Sequence, residues 1–219
     1  MESPGLRQLL LETIAAARER EHEFLALCDD SPPEPGLWTV KDHLAHLTAW
    51  RIMVGVLLDS GRTGPEAPRM DEDVQASNAR VYAANKDKTA DVVKSNARAA
   101  YDRLEAAIAA CSDEDLLKPH PRPRSAGVAL WQTAPGHVHH LAEHLMFWHL
   151  EQGNEEAAEA AQLWVHGLGP GPVSRAQIGG RFYVRPRLLL RAHRTRGRSA
   201  ASLQARVRAG SVAEEACTD

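Results

Sequence analysis

The sequence predicts an all-α protein: a four-helix bundle, one short extra helix and a basic C-terminal tail of low order. Three observations carry this expectation. Alanine is plentiful and aromatic residues make up only 5% of the 219 residues, a balance that favours helices over sheets. Apolar residues recur at three- and four-residue spacing through four long stretches. Residues that cap helices stand where these stretches begin, and Pro or Gly where they end.

Leu6 to Cys28 reads as the first helix, with Leu9, Leu10, Ile14, Phe24, Leu25 and Leu27 as its apolar stripe. Pro32, Pro33, Pro35 and Gly36 end it. Thr39-Val40-Lys41-Asp42 is a capping box, in which the Thr39 hydroxyl takes a free backbone N–H and Asp42 reaches back to the cap. A second helix runs from there to about Ser60, with Val40, Leu44, Leu47, Val54 and Leu58 on one face, and Gly61 to Met70 is a loop. Asp71 to Asn85 is a weakly apolar helix. Thr89 caps a stronger one that runs to Cys111 through Val92, Val93, Ala97, Tyr101, Leu104 and Ile108. Ser112-Asp113-Glu114-Asp115 is a second capping box, opening a short turn. Pro119 to Arg124 is a connection, and Pro135 in a first turn starts or slightly kinks the helix that carries the histidines to about Gln152. Gly153 and Asn154 are a stop and a cap, and Glu155 to Val165 forms one more short helix. The expected organisation is therefore a bundle over 1–153, an added helix over 154–168 and a basic tail over 169–219.

Charge is divided along the chain. Residues 1–167 hold 16 basic and 26 acidic residues, a balance of −10, whereas 168–219 hold 10 arginines, no lysine and 3 acids, a balance of +7. An acidic body argues against a nucleic-acid ligand, because phosphate contacts need clustered Lys and Arg. Cys28, Cys111 and Cys217 are too few and too scattered for a disulfide framework, and point to a reducing compartment. Met1-Glu2-Ser3-Pro4 does not open a signal peptide, and no apolar run reaches the roughly 18 residues that span a bilayer. A cytoplasmic protein with no membrane partner is expected, with a homodimer as the default assembly.

The most informative segment is His137-Val138-His139-His140-Leu141-Ala142-Glu143-His144, four histidines in eight residues. On a helix His140 and His144 project one turn apart from one side, where two imidazoles can share a divalent cation. Taking Val138, Leu141, Leu145 and Trp148 as the buried stripe, His137, His140 and His144 fall along one flank and His139 points elsewhere. On the second helix His43 lies at the centre of the apolar face and His46 on its flank. Either can supply a third nitrogen, and the competing reading is a set of partly buried histidines bonded to their neighbours without metal. Trp38, Trp50, Trp131, Trp148 and Trp164 sit where packing is their default role. Glu143 faces away from the pair as a solvated charge. There is no Gly-rich phosphate loop, no G-x-S-x-G and no zinc-finger cysteine spacing.

Three stretches together resemble the DinB-like superfamily of helical bundles, closest to its ClbS/DfsB-like branch. Trp38-Thr39-Val40-Lys41-Asp42-His43-Leu44-Ala45-His46-Leu47-Thr48-Ala49-Trp50 is similar to the family's W-S/T-x-x-D-x-L-A-H-L-x-x-W second helix. Asn78 to Tyr82 with Thr89-Ala90-Asp91-Val92-Val93 resembles its third-helix region, and His140-Leu141-Ala142-Glu143-His144 its H-Y-A-E-H helix. The resemblance covers roughly residues 5–152. It implies a divalent metal, zinc or nickel, held by His46, His140 and His144, and so favours His46 over His43. It also implies a chemistry: thiol transfer with a low-molecular-weight thiol cosubstrate, or hydrolysis, directed at a small electrophilic substrate in detoxification or stress response. The chain departs from the pattern at Pro135-Gly136, where a kink is expected before His140, and in its arginine tail.

Two other functions compete. One is a non-catalytic resistance protein that sequesters a small molecule in a tryptophan-lined cleft with structural histidines. The other is an interaction module whose arginine tail docks on an acidic partner or membrane surface. No side chain in the motifs is an obvious general base, so no catalytic residue is assigned beyond the metal ligands.

Overall fold

A computed structural model describes residues 5–33, 37–64, 74–120 and 129–167. The arginine tail, the loop beyond residue 64 and most of the proline-rich connection lie outside the described residues. Among the described residues seven α-helices follow in order: α1 (Leu6–Leu27), α2 (Val40–Thr63), α3 (Val74–Asn85), α4 (Ala90–Ala110), α5 (Asp113–Leu117), α6 (Thr133–Glu151) and α7 (Glu155–Gly167). A 3-10 turn at Leu130–Gln132 leads into α6. The described residues contain no β-strand, only an isolated bridge between Pro119 and Ala129. The all-α expectation holds.

Four long helices, α1, α2, α4 and α6, make the bundle. α2 packs on α4 and α6, and α1 packs on the same two from the opposite side. Their facing stripes form one core, including Ile14, Phe24, Leu44, Leu47, Leu58, Tyr101, Leu104, Ile108, Leu141, Leu145 and Phe147. α3 lies against α2 and α7 against α6, with Ala158 and Ala161 of α7 fully buried in the same core.

Local chemistry explains the boundaries. Thr39 and Asp42 form the reciprocal capping box at the start of α2, and Ser112 and Asp115 do the same for α5. α2 continues past Ser60 to Thr63, because the stop is not Gly61 but Gly64, whose φ of 88° closes the helix through its N–H to Ser60 O. Gly61 is inside the helix for a packing reason: a Cβ there would lie 2.6 Å from the Leu130 side chain. Gly153, at φ 70°, ends α6, and Asn154 caps α7 by accepting the Ala157 N–H.

Two caps come from distant residues. Thr89 occupies the cap position of α4, but its hydroxyl makes no cap bond; the Asp30 carboxylate accepts the Ala90 N–H instead, at 2.8 Å. The first turn of α1 has no side-chain cap of its own. Asp113 of α5 serves it, accepting the N–H groups of Leu6 and Arg7 at 2.9 and 2.8 Å. Pro135 marks the start of its helix: α6 begins at Thr133, so the proline sits in the first turn, where a missing N–H costs nothing.

One buried polar network joins all four bundle helices. Arg51 of α2 is fully buried and ion-paired with the equally buried Glu21 of α1. Its other donors reach Ala97 O of α4 at 2.9 Å and His137 Nε2 of α6 at 3.0 Å. Its guanidinium carbon lies 3.5 Å from the centre of the Tyr101 ring, whose hydroxyl donates to Glu21.

Candidate metal centre

His46 projects from α2, and His140 and His144 project one turn apart from α6. Because α2 and α6 are packed neighbours, the two stretches meet inside the bundle. His140 Nε2 lies 3.0 Å from Nε2 of His46 and 3.0 Å from Nε2 of His144. All three ligand atoms fall within 4.8 Å of one another. His46 and His144 are buried and His140 is half-buried.

Hydrogen bonding alone does not satisfy this arrangement. A neutral ring nitrogen offers either one in-plane lone pair or one proton, so His140 Nε2 can serve only one of its two neighbours well. A cation satisfies all three lone pairs at once, and three imidazoles are a donor set of the kind that binds zinc or nickel while leaving a position open. The protonation state fits too. Burial, followed by the neighbouring His140 and His43, holds His46 well below the usual histidine range. Burial, then His140, His46 and His43, does the same to His144. Both are therefore neutral near pH 7, the form that coordinates metal. The three histidines can hold a divalent cation.

Aromatic rings frame the cluster. The Trp38 ring lies 5.1 Å from that of His46 and is stacked at 5.9 Å on His144. Trp50 lies 6.1 Å from His46 and 6.2 Å from His140. Trp131 is buried in the core, and Trp148 and Trp164 pack against it. Packing is thus the role of three tryptophans, while two border the histidines. Beside His46 a shallow crevice lies between α2 and α3, lined by Trp38, Ala45, His46, Asn78, Val81 and Tyr82 among others. Asn78 Oδ1 is buried there with no hydrogen-bond partner among the described residues.

The remaining histidines stand outside the three-nitrogen cluster. His43 was the open alternative to His46; it is fully buried, but its Nδ1 meets Nδ1 of His144 at 2.7 Å, on the ring nitrogen that faces away from His140. His137, expected on the same flank as His140 and His144, is turned into the core, where its Nε2 accepts from Arg51. Burial, and then the Arg51 charge, pushes it well below the usual range. His139 is buried outside the cluster and Glu143 is half-buried rather than solvated.

Sequence reasoning missed Glu21 and Arg51, although a signal exists. Glu21 stands in register with Ile14, Ala17, Phe24 and Leu25 on the buried side of α1, and Arg51 with Leu44, Leu47 and Leu58 on α2. Opposite charges in the apolar phase of two helices imply a buried pair.

A helical bundle with a histidine triad between two of its core helices defines a class of candidate metal-binding bundles. The sequence model of the DinB superfamily matches residues 16–152, spanning α2 through α6 and most of α1. The chain belongs to the DinB superfamily. No curated protein and no solved structure matches it. Among the described residues no helix is long and apolar enough to cross a membrane.

Proposed function

We propose that this chain is a metal-dependent small-molecule transferase or hydrolase, thiol-transferase-like, serving detoxification or stress response. His46, His140 and His144 are its cation ligands. The observation that carries the reading is the convergence of three Nε2 atoms from two helices, with His140 at 3.0 Å from both partners. A divalent cation held there supplies Lewis acidity, which makes hydroxide or the thiolate of a low-molecular-weight thiol available near neutral pH. Trp38 and Trp50 flank the cluster on two sides, and the crevice between α2 and α3 beside His46 is the side from which an electrophilic substrate would approach. Asp42 also borders that crevice, where its Oδ2 accepts from the Thr39 N–H and hydroxyl as part of the cap of α2.

Elemental analysis of protein purified without a histidine tag tests the reading first. Near-stoichiometric zinc or nickel is expected in the wild type and background levels in His140→Ala and His144→Ala. A screen of low-molecular-weight thiols against reactive electrophiles then follows the metal-loaded protein. Trp38 and Tyr82 in the lining of that crevice also suit binding of a small molecule without turnover. Tight binding of an electrophile that is recovered unchanged would establish that second reading, and metal at background levels in the wild type would reject the first.

A further inference from the structure

We infer that His43 is a positioning residue for the metal centre: its Nδ1 accepts the Nδ1–H of His144 and so leaves the Nε2 lone pair of His144 directed at the cation. The inference rests on the proposed three-histidine centre and adds to it a residue that ligates nothing.

The geometry is specific. The two Nδ1 atoms are 2.7 Å apart, so one of them carries the proton and the other accepts it. Two tautomeric arrangements are available. If His43 donates, the proton of neutral His144 sits on Nε2, the atom that faces His140, and coordination there is blocked. If His144 donates, its Nε2 is bare and available. Cation binding selects the second arrangement and fixes the proton of His43 on its own Nε2. A ligand histidine held through its other nitrogen is the usual way a metal site sets tautomer and ring orientation.

The surroundings fix His43 in place. It is fully buried, its ring stacks on Phe24 at 5.6 Å with planes 19° apart, and Trp38 meets it edge-on at 5.4 Å. The helix places it at the centre of the apolar face of α2, where an imidazole needs a reason to displace an aliphatic side chain. The Nδ1 atom of His46 differs: it is buried with no hydrogen-bond partner among the described residues. Of the two buried ligands, His144 is therefore the one with a protein group setting its tautomer.

Two substitutions test this against zinc alone, with affinity read by chelator competition on the full chain. His43→Phe keeps a ring of similar shape and removes the acceptor; zinc binding is expected to weaken about 10–100-fold. His43→Asn retains an acceptor near the position of Nδ1, and its affinity is expected to stay closer to wild type. Wild-type affinity in His43→Phe overturns the inference, and so does an equal loss in both variants, which would assign the effect to packing. If His43→Phe does not fold, the tautomers decide. In ¹⁵N spectra of the zinc-loaded wild type, His43 should be protonated at Nε2 and His144 at Nδ1; a protonated Nδ1 on His43 overturns the proposal. A wild type that takes up no zinc removes the metal centre itself, and is distinguished from the other failures by that result.

Discussion

His46, His137 and His144 are buried imidazoles that the folded chain keeps neutral, and this has a measurable consequence for stability. All three are held well below the ordinary range chiefly by burial, whereas in the unfolded chain each titrates near about 6.5. Above that pH neither state carries the extra protons and the term vanishes. Below it the unfolded state binds protons that the folded state refuses, so stability is lost as pH falls from about 6.5 toward the lowered values. Each histidine contributes up to about 1.4 kcal/mol per pH unit across that window. Urea unfolding of metal-free protein between pH 7.5 and 5.5 should show a steep decline that is reduced in His137→Phe. A flat profile would mean that these rings protonate freely in the folded protein. The same burial that costs stability in acid keeps His46 and His144 competent as ligands at neutral pH.

At the scale of elements, what could be read in advance was whatever is encoded within a few residues. The capping boxes at Thr39-Asp42 and Ser112-Asp115, the stop and cap at Gly153-Asn154, and the one-turn spacing of His140 and His144 are all local signals, and each is present in the fold. What escaped depends on partners far along the chain. Asp30 caps α4 from 60 residues away, and the position of Gly61 within α2 is set by Leu130. One buried stripe on α6 is too few: α7 packs on α6 as well, and His139 and Met146 are buried in addition to the expected residues. His43 could be placed on its helix face but not given a role, because His144 is 101 residues away. The cap on α1 gives an element-scale prediction. Asp113→Ala leaves the Leu6 and Arg7 N–H groups without their acceptor and should cost about 0.5–2 kcal/mol. Gly5→Ala would place a Cβ 2.5 Å from Asp113 Oδ2, and so disturbs the same contact. The double variant should therefore lose less than the sum of the two, whereas additive losses in thermal unfolding would show that the carboxylate does not cap α1.

For the whole molecule, the question is what aligns four helices so that nitrogens from two of them meet. An apolar stripe permits sliding and rotation at small cost, but the Arg51 network does not. Its guanidinium holds Glu21 of α1, Ala97 O of α4 and His137 of α6 at once, one helical turn from His140. A buried ion pair is weak support for stability in itself, because desolvation offsets the attraction, yet losing one partner strands a charge at a cost of about 3–5 kcal/mol. Burial already pushes the Glu21 carboxyl upward against the pull of Arg51. Without the guanidinium, the carboxyl would have to protonate or unfold its surroundings. Arg51→Met should thus be severely destabilised, and adding Glu21→Leu should recover part of the loss by removing the stranded carboxylate. Zinc affinity separates stability from alignment. If the network sets helix register, the double variant regains stability while its zinc binding stays weaker than wild type, since His137 no longer ties α6 to α2. Full recovery of zinc binding along with stability would leave the apolar core alone as the source of the alignment.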